Sequence, residues 1–172
     1  RVRGVAGAFT LGSPGSHNVE NALAALAAAD ALGVPLKSLR EALAACRALP
    51  MRSEVIRTDE LSLIADCYNA NPLSFARAID SLTELPATRR ILIAGDMREL
   101  GDHAIAAHQA IGQLAAERGV DLILAVGEFA SEVVHGATQV RLGAAHAFAS
   151  VAALLEALLP LLQAGDGLLV KG

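Results

Sequence analysis

The stretch LSLIADCYNANPLSFARAIDSL, residues 61–82, joins a run typical of a buried strand to a run typical of a helix. The run LSLIA is largely apolar, and the polar segment DCYNANP, residues 66–72, follows it directly. Beyond the proline of that segment, Phe75, Ile79 and Leu82 recur at helical spacing. Proline is well tolerated in the first turn of a helix. The stretch therefore predicts a strand, a polar loop and a helix, which is the repeating unit of an α/β fold.

The same alternation continues along the rest of the chain. Apolar runs predict further strands at 54–58, 89–95, 121–127 and 166–172, and helical periodicity predicts helices at 72–85, 102–119, 128–136 and 145–163. Strands that alternate with helices are joined by right-handed crossovers, which makes their sheet mainly parallel. Continuously apolar strands such as ILIA and LILAV are typical of a sheet covered on both faces. The pattern predicts a Rossmann-like three-layer α/β domain.

A helical hairpin is predicted before this domain. Apolar residues at helical spacing predict a first helix, Gly33 ends it, and Pro35 opens a second helix. The pattern changes near Pro50, where helical spacing gives way to strand-like runs. We therefore predict two parts, a helical hairpin in residues 1–50 and the α/β domain in residues 51–172.

The composition narrows the class of protein. Of the 172 residues, 53% are apolar but only 3% are aromatic, so the core is built from aliphatic side chains. The formal net charge is -4 and no basic run occurs, which argues against nucleic acid as a partner. Cys46 and Cys67 lack the spacing of a zinc site and are predicted to be buried free thiols. No signal peptide or membrane-spanning run is visible, so we predict a cytoplasmic protein without a membrane contact.

Polar residues follow three of the predicted strands. Ligands of open parallel sheets bind beyond the carboxyl ends of the strands, where Asp66, the loop 95–101 and Lys171 are expected. Two interpretations of Asp66 stay open: it accepts hydrogen bonds from ribose hydroxyls, or it caps the following helix. Asn69 and Asn71 either bind phosphate or peptide groups or build an Asx turn before the proline.

Other polar residues have an ordinary interpretation beside a functional one. The loop GDMRELG, residues 95–101, is predicted to be a tight strand-to-helix turn, and His108 is predicted to be a hydrogen-bonded core histidine in preference to a catalytic base. Arg52 is either a solvated linker residue or a clamp that reaches a phosphate. His17 lies in the turn before the first helix. No GxxxxGK[ST] segment occurs, so the chain by itself does not cradle a triphosphate in the Walker manner.

Several segments, in this order and spacing, carry a resemblance to a known family. They are GSHNVENALAA at 15–25, MRSE at 51–54, DCYNANP at 66–72, GDMRELG at 95–101 with HQAIG following, and LVKG at 169–172. Together they resemble the Mur ligases over nearly the whole chain, and DCYNANP with GDMRELG is the most discriminating pair. The family has three domains. The resemblance implies that residues 1–50 correspond to the end of the central ATPase domain and residues 51–172 to most of the C-terminal domain.

The resemblance also implies roles for particular residues. His17 and Asn21 would face the adenine of ATP, Arg52 would reach the phosphates when the domains close, and Asp66 would hold the ribose. The residues implied near phosphate or the incoming dipeptide are Tyr68, Asn69, Asn71 and Lys171. No metal ligand is expected within this chain, because the acids and the lysine that bind Mg²⁺ in the family are expected upstream of it.

The activity that the resemblance implies is ATP-dependent amide formation by a monomer. D-Alanyl-D-alanine would be added to a UDP-N-acetylmuramoyl-tripeptide through an acyl phosphate, in the synthesis of peptidoglycan precursors. Because the phosphate loop is missing, the chain alone is predicted to be inactive. In the active protein, Asp66→Asn is expected to raise the apparent KM for ATP by about tenfold to a hundredfold and to leave the melting temperature little changed.

Two alternatives stay open at this point. One is another Mur ligase that adds an earlier residue of the peptide, for which a DNPR-like stretch is expected, whereas residues 69–72 read NANP. The other is a non-catalytic Rossmann-like module that binds a nucleotide.

Overall fold

The computed structural model describes residues 5, 7–12, 15–47, 49–141 and 145–172. The elements in chain order are α1 (Ser16–Ala31), a 3-10 turn (Leu36–Leu39), α2 (Arg40–Ala45), β1 (Glu54–Arg57), β2 (Ser62–Asp66), α3 (Pro72–Glu84), β3 (Arg89–Ala94), a 3-10 turn (Gly101–His103), α4 (Ala104–Glu117), β4 (Leu122–Val126), α5 (Ala130–Thr138), β5 (Ala145–Phe148), α6 (Val151–Leu158), a 3-10 turn (Leu159–Leu161) and β6 (Asp166–Lys171). No helix among the described residues is both long and apolar enough to cross a membrane.

The strands form one six-stranded sheet in the order β1-β2-β6-β3-β4-β5. Every neighbouring pair is parallel except β1 with β2, which are antiparallel at one edge. The last strand enters between β2 and β3, so the chain ends in the middle of the sheet. The predicted Rossmann-like α/β domain with a mainly parallel sheet is confirmed.

Helices cover both faces of the sheet, as the continuously apolar strands predicted. One face packs under α3, α4 and α5, with Phe75, Ile79 and Ile111 among the buried side chains. The other face packs under α6 through Leu154 and Leu158, which meet Leu168 of the central strand. Burying aliphatic side chains at about 25 cal/mol per Å² is the main force that holds these three layers together.

Two details of the predicted helices are wrong. Residues 145–148 belong to β5 and not to the start of a helix, and the helix over this region is confined to Val151–Leu158. The sequence AHAF favours a helix locally, but pairing with β4 at the sheet edge makes it a strand. Helical spacing predicts that Ile105 of α4 faces inward with Ile111, but Ile105 is 54% exposed, whereas Ile111 is buried.

The hairpin ahead of the sheet also departs from expectation. Of the apolar stripe on α1, Leu26 is buried, but Val19 and Leu23 are about half exposed. The second helix begins as a 3-10 turn at Leu36 and becomes α-helical only over Arg40–Ala45. The two helices are therefore present, but they bury little apolar surface in this chain.

The cysteines differ from expectation as well. Both are free, but Cys46 is exposed and Cys67 is half-buried, so neither is the fully buried thiol that was predicted. The Cys67 thiol donates to the carbonyl oxygen of Val170 over 3.3 Å. Burial raises the pKa of Cys67, which keeps it protonated and poorly nucleophilic at neutral pH.

Candidate functional site

A cleft of about 390 Å³ opens where β2 and β6 end. Because β2 and β6 are parallel neighbours, Asp66 and Lys171 stand opposite each other in register at their carboxyl ends. Ligands bind at this edge in open parallel sheets. The residues that line the cleft are His17, Arg52, Ser53, Asp66, Tyr68, Asn69, Asn71, Leu73, Ser74, Arg77, Ala78 and Lys171.

A buried ion pair forms the floor of this cleft. The Lys171 ammonium donates to Asp66 Oδ2 over 2.6 Å and to the carbonyl oxygen of Asn69 over 3.1 Å. It also lies 5.8 Å from the ring centre of Phe75. The Lys171 side chain is only 1% exposed, whereas that of Asp66 is 14% exposed. The lysine is therefore enclosed by protein, and the carboxylate is the more exposed member of the pair.

The other oxygen of Asp66 holds the turn before β1. Asp66 Oδ1 accepts the backbone N–H of Ser53 over 2.9 Å. Within the same turn, Met51 and Ser53 both have positive φ, at 58° and 51°, which is a costly conformation for residues other than glycine. The backbone N–H of Tyr68 donates to the Met51 carbonyl over 3.0 Å and helps to hold this shape.

This turn places Arg52 at the mouth of the cleft. Its guanidinium lies over the ring of Tyr68, 3.7 Å from the ring centre. Contact with the face of an aromatic ring restricts the arginine side chain. Arg52 therefore lines the mouth of the cleft, and its contact with a phosphate stays a prediction.

The structure also distinguishes the helix cap from the other polar residues. Asn71 Oδ1 accepts the Ser74 backbone N–H over 2.9 Å, and Ser74 Oγ accepts the Asn71 backbone N–H over 3.1 Å. This reciprocal pair is a capping box for α3. Asn71, and not Asp66, is therefore the cap of that helix. Asn69 Oδ1 accepts the backbone N–H of the next residue, Ala70, over 2.8 Å, whereas an Asx turn requires a bond to the N–H two residues on.

One residue of the predicted site lies elsewhere. Seven of the eight predicted residues line the cleft, but Asn21 lines a separate, mainly apolar pocket of about 210 Å³ between α1 and α2. Its side-chain amide donates to Asn18 Oδ1 over 3.3 Å. The structure therefore does not bring Asn21 together with His17 in one cavity, although both belong to α1.

Sequence reasoning missed Ser53, Ser74 and Arg77, which also line the cleft. Ser53 contributes through its backbone, which no pattern of side chains reveals. Ser74 and Arg77 are three residues apart on α3, so they lie on the same helix face as the capped end that meets the cleft. Helical spacing counted from Asn71 is the signal that could have found them.

The GDMRELG loop and His108 have structural roles, as predicted. Asp96 accepts the backbone N–H groups of Glu128 and Phe129 over 2.9 and 3.0 Å and so ties β3 to the start of α5. His108 Nε2 accepts the Met97 backbone N–H over 2.9 Å, and Nδ1 lies 2.7 Å from the Ala104 carbonyl. This pair of contacts requires the tautomer with the proton on Nδ1.

The cleft suits an anionic ligand better than a metal ion. Arg52 and Arg77 supply positive charge at its surface, and the buried Lys171 is compensated by Asp66. Among the described residues, no group of three or more His, Cys, Asp or Glu side chains is placed to hold a metal ion. The residues of this cleft therefore do not fit a Mg²⁺ site of their own, since Mg²⁺ requires several oxygen ligands.

Comparison with known proteins identifies the class. Residues 51–172 match the family described as Mur ligase, glutamate ligase domain, and the chain belongs to this family of ATP-dependent ligases. The match begins close to the predicted boundary at Pro50 and ends with the last residue of the chain.

Several proteins similar to this chain are ligases of the same name. The chain is 40% identical over 116 residues to the UDP-N-acetylmuramoyl-tripeptide–D-alanyl-D-alanine ligase of Escherichia coli, covering 67% of this chain and 25% of that protein. It is 35% identical over 160 residues to the ligase of the same name from Treponema pallidum, covering 92% of this chain and 35% of that protein. A crystal structure of MurF from Acinetobacter baumannii matches with a TM-score of 0.85 and 36% identity, covering 95% of this chain and 36% of that one. The chain thus spans about a third or less of the length of these relatives.

Proposed function

We propose that this chain is the part of an ATP-dependent ligase that receives the incoming dipeptide, and that the ligase adds D-alanyl-D-alanine to a UDP-N-acetylmuramoyl-tripeptide. The single observation that carries the proposal is the cleft at the ends of β2 and β6. It gathers two surface arginines, an accessible carboxylate and several amide and hydroxyl groups on one rigid sheet edge. Relatives with that activity are similar to the chain over most of its length.

The proposed chemistry explains why such a ligase uses a phosphate donor. A carboxylate is a poor acylating agent, because its oxygen is a poor leaving group. Transfer of the γ-phosphoryl group of ATP to the carboxylate gives an acyl phosphate, with ADP released from the phosphorus. The amine of D-alanyl-D-alanine then attacks the acyl carbon, inorganic phosphate leaves, and the amine loses its proton. The protein's share is to position the reactants and to balance the negative charge.

Arg52 is the residue that we propose to contact phosphate. It is exposed at the mouth of the cleft and is held by the ring of Tyr68 at 3.7 Å. An arginine that is already restricted in this way loses less freedom when it binds an oxyanion. Its place in the turn beside Pro50 also puts it where a movement between the two parts of the chain would carry it toward or away from a ligand.

Asp66 retains the capacity to bind a ribose despite its two partners. A carboxylate offers about four lone-pair positions. The Ser53 N–H and the Lys171 ammonium use one on each oxygen. The Asp66 side chain is 14% exposed and lines the cleft, so about two lone-pair positions remain for a ligand. We therefore propose that ribose hydroxyls donate to Asp66 and that Lys171 and Ser53 hold the carboxylate in position for them.

The other proposed contacts follow from the walls of the cleft. Tyr68, Asn69 and Asn71 are proposed to lie near phosphate or the dipeptide, and His17 near the base of the nucleotide. Asn21 is proposed to face the adenine only if a movement of α1 or the rest of the nucleotide site joins its pocket to the cleft. Lys171 is proposed to act through Asp66, because its side chain is 1% exposed.

A binding measurement with matched variants tests this proposal. ADP is titrated into the chain and followed by amide chemical shifts, for the wild type, Arg52→Gln and Arg57→Gln. Both arginines are exposed, five residues apart, and only Arg52 lines the cleft. Loss of one charge-assisted contact at Arg52 is expected to weaken binding by about tenfold, and Arg57→Gln should leave it unchanged. Equal losses in the two variants would indicate nonspecific attraction and would contradict a phosphate contact by Arg52.

The remaining expectations about the protein also stay proposals. We propose a monomer that works in the cytoplasm, with Mg²⁺ held by residues outside this chain. We also propose a boundary near Pro50, so that limited proteolysis cuts there before it cuts the sheet domain. The chain by itself should release no phosphate from ATP, and release above an enzyme-free control would contradict the proposed division of the active site.

A further inference from the structure

Arg77 is a cationic residue of the cleft that the resemblance to the family did not indicate. It lies on α3 and lines the cleft, and its guanidinium Nη2 is 3.3 Å from Glu20 Oε2 on α1. The two side chains are 42% and 70% exposed, so this ion pair is in contact with water. Exposed pairs of this kind contribute little to stability and exchange easily for other partners.

The two ion pairs of the cleft differ in what a ligand can displace. The buried Lys171 ammonium donates to Asp66 Oδ2 over 2.6 Å, which makes that pair a fixed part of the floor. Arg77 is paired across to the other part of the chain by one long contact. A guanidinium has five N–H donors arranged to match two oxygens of one carboxylate or phosphate. Of the two cations held in ion pairs, Arg77 is therefore the one that can change its partner at little cost.

We infer that Arg77 binds an oxyanion of the ligand in the cleft, and that Glu20 is the counter-ion which this oxyanion displaces. The inference rests on the proposed function, because it assigns a further binding residue to the same cleft. The oxyanion comes either from a phosphate of the nucleotide or from the carboxylate of the dipeptide. Glu20 thereby lowers the affinity of the empty cleft for anions, since an incoming oxyanion has to replace it.

This arrangement predicts effects of opposite sign for the two members of the pair. Glu20→Gln removes the competing charge and should tighten binding of the anionic ligand by about twofold to fivefold, in line with an exposed pair. Arg77→Gln removes the donor and should weaken binding by about threefold to tenfold. The double variant should bind like Arg77→Gln alone, because Glu20 acts only through Arg77.

The chain offers a matched control for these variants. Arg118 and Asp80 form another exposed ion pair, at 3.4 Å, with side chains 46% and 44% exposed. Asp80 is on α3, as Arg77 is, but neither Arg118 nor Asp80 is among the residues that line the cleft. Arg118→Gln and Asp80→Asn change the net charge as the test variants do and should leave ligand binding unchanged.

The experiment is a titration of the chain with ADP and, separately, with D-alanyl-D-alanine at up to millimolar concentrations, followed by amide chemical shifts. Opposite effects of Glu20→Gln and Arg77→Gln with one of the two ligands support the inference and identify the source of the oxyanion. Binding that neither variant alters, or that both alter in the same direction, overturns the inference and leaves the proposed function standing. No binding of either ligand to the wild type or to Glu20→Gln overturns the inference, but not the proposed function, which places the phosphate loop outside this chain.

Discussion

Strand β6 carries a charged residue at each end, and the two ion pairs that these residues form differ in which member is buried. At its start, Asp166 pairs with Arg89 of β3, and at its end, Lys171 pairs with Asp66 of β2. At the first pair, the acid is the buried member, with a side chain 1% exposed against 27% for its arginine. At the second pair, the base is the buried member.

The first pair is satisfied entirely by the protein. Arg89 donates to both oxygens of Asp166, over 3.0 and 2.7 Å, and the backbone N–H of Gln163 donates to Asp166 over 2.9 Å. Arg89 also donates to the Leu161 carbonyl over 2.6 Å. This end of the sheet therefore closes a loop and holds two strands together, and it presents no carboxylate to a ligand.

The second pair keeps its acid at the surface of the cleft. The difference between the two pairs shows that a buried ion pair can contribute to a binding site only when its ligand-binding member is the exposed one. The buried partner then fixes the geometry without competing for the ligand. The same comparison predicts which substitution at each end is the more damaging, because the cost depends on the charge that is left behind.

The largest expected effect comes from removing the exposed member of each pair. Asp66→Asn strands the Lys171 ammonium and Arg89→Met strands the Asp166 carboxylate, each in a nearly fully buried position. Each variant should lose about 3 kcal/mol of unfolding free energy, as is typical when one partner of a buried pair is removed. Urea unfolding at neutral pH measures both. The sequence alone led to the opposite expectation for Asp66→Asn, because the burial of Lys171 was not visible in it.

A smaller effect distinguishes the two ends by function. Asp66→Asn should weaken ADP binding by about tenfold, because one ribose hydroxyl loses an acceptor, whereas Asp166→Asn should leave ADP binding unchanged. ADP binding by both variants is measured by titration without urea, where each variant is folded. If Asp166→Asn weakened binding as much as Asp66→Asn, loss of folded structure and not loss of a contact would explain the result.

The reverse substitutions should cost less. Lys171→Met keeps the length of the side chain and leaves Asp66 with the Ser53 N–H and access to the cleft. Asp166→Asn leaves Arg89 with the Leu161 carbonyl and partial exposure. Each should lose about 1 kcal/mol, which is the value of an ordinary hydrogen bond, and urea unfolding again measures it. Equal losses for the two members of either pair would break the proposed asymmetry.

The dependence of stability on pH should give the most gradual effect. Burial opposes ionisation of Asp166, but the hydrogen bonds from Arg89 and from the Gln163 backbone outweigh it and hold the pKa of this carboxyl below its usual value. The group therefore contributes stability above its unfolded pKa of about 3.9, and this contribution is lost as the pH falls through the lower folded pKa.

The variant Arg89→Met provides the control, because its stability should depend on pH in the opposite direction. Without the arginine, burial dominates and raises the pKa of Asp166 above its unfolded value, so that acidification toward the unfolded pKa should stabilise the variant relative to neutral pH. The measurement is the difference in unfolding free energy between the wild type and Arg89→Met across mildly acidic pH. A difference that stays constant with pH would show that this ion pair does not respond to protonation.

Much of the cleft was predictable because strand ends are visible in a sequence. The run SLIAD ends in Asp66 and the run DGLLVK ends in Lys171, and parallel pairing places both ends at one edge. The sequence did not predict that Asp66 and Lys171 would pair with each other. The ion pair between them joins residues that are 105 positions apart, and it arises because β6 enters beside β2.

Other misses share this cause. AHAF became β5 because β4 offered an edge to pair with, although alanine favours a helix. Arg77 entered the cleft because α3 leads away from the capped Asn71 with its polar face toward α1. Asn21 lines a second pocket, which also includes Leu43 of α2, and not the cleft that His17 lines.

By itself, the sequence determined the class of fold, the strand ends that carry chemistry and the family, because these depend on periodicity and on local order along the chain. Only the tertiary structure decided that Lys171 is buried under Asp66 and that Arg77 faces Glu20. Those facts depend on which segments meet across the sheet and on how much water reaches each charge, and both are properties of packing between residues that are distant in sequence.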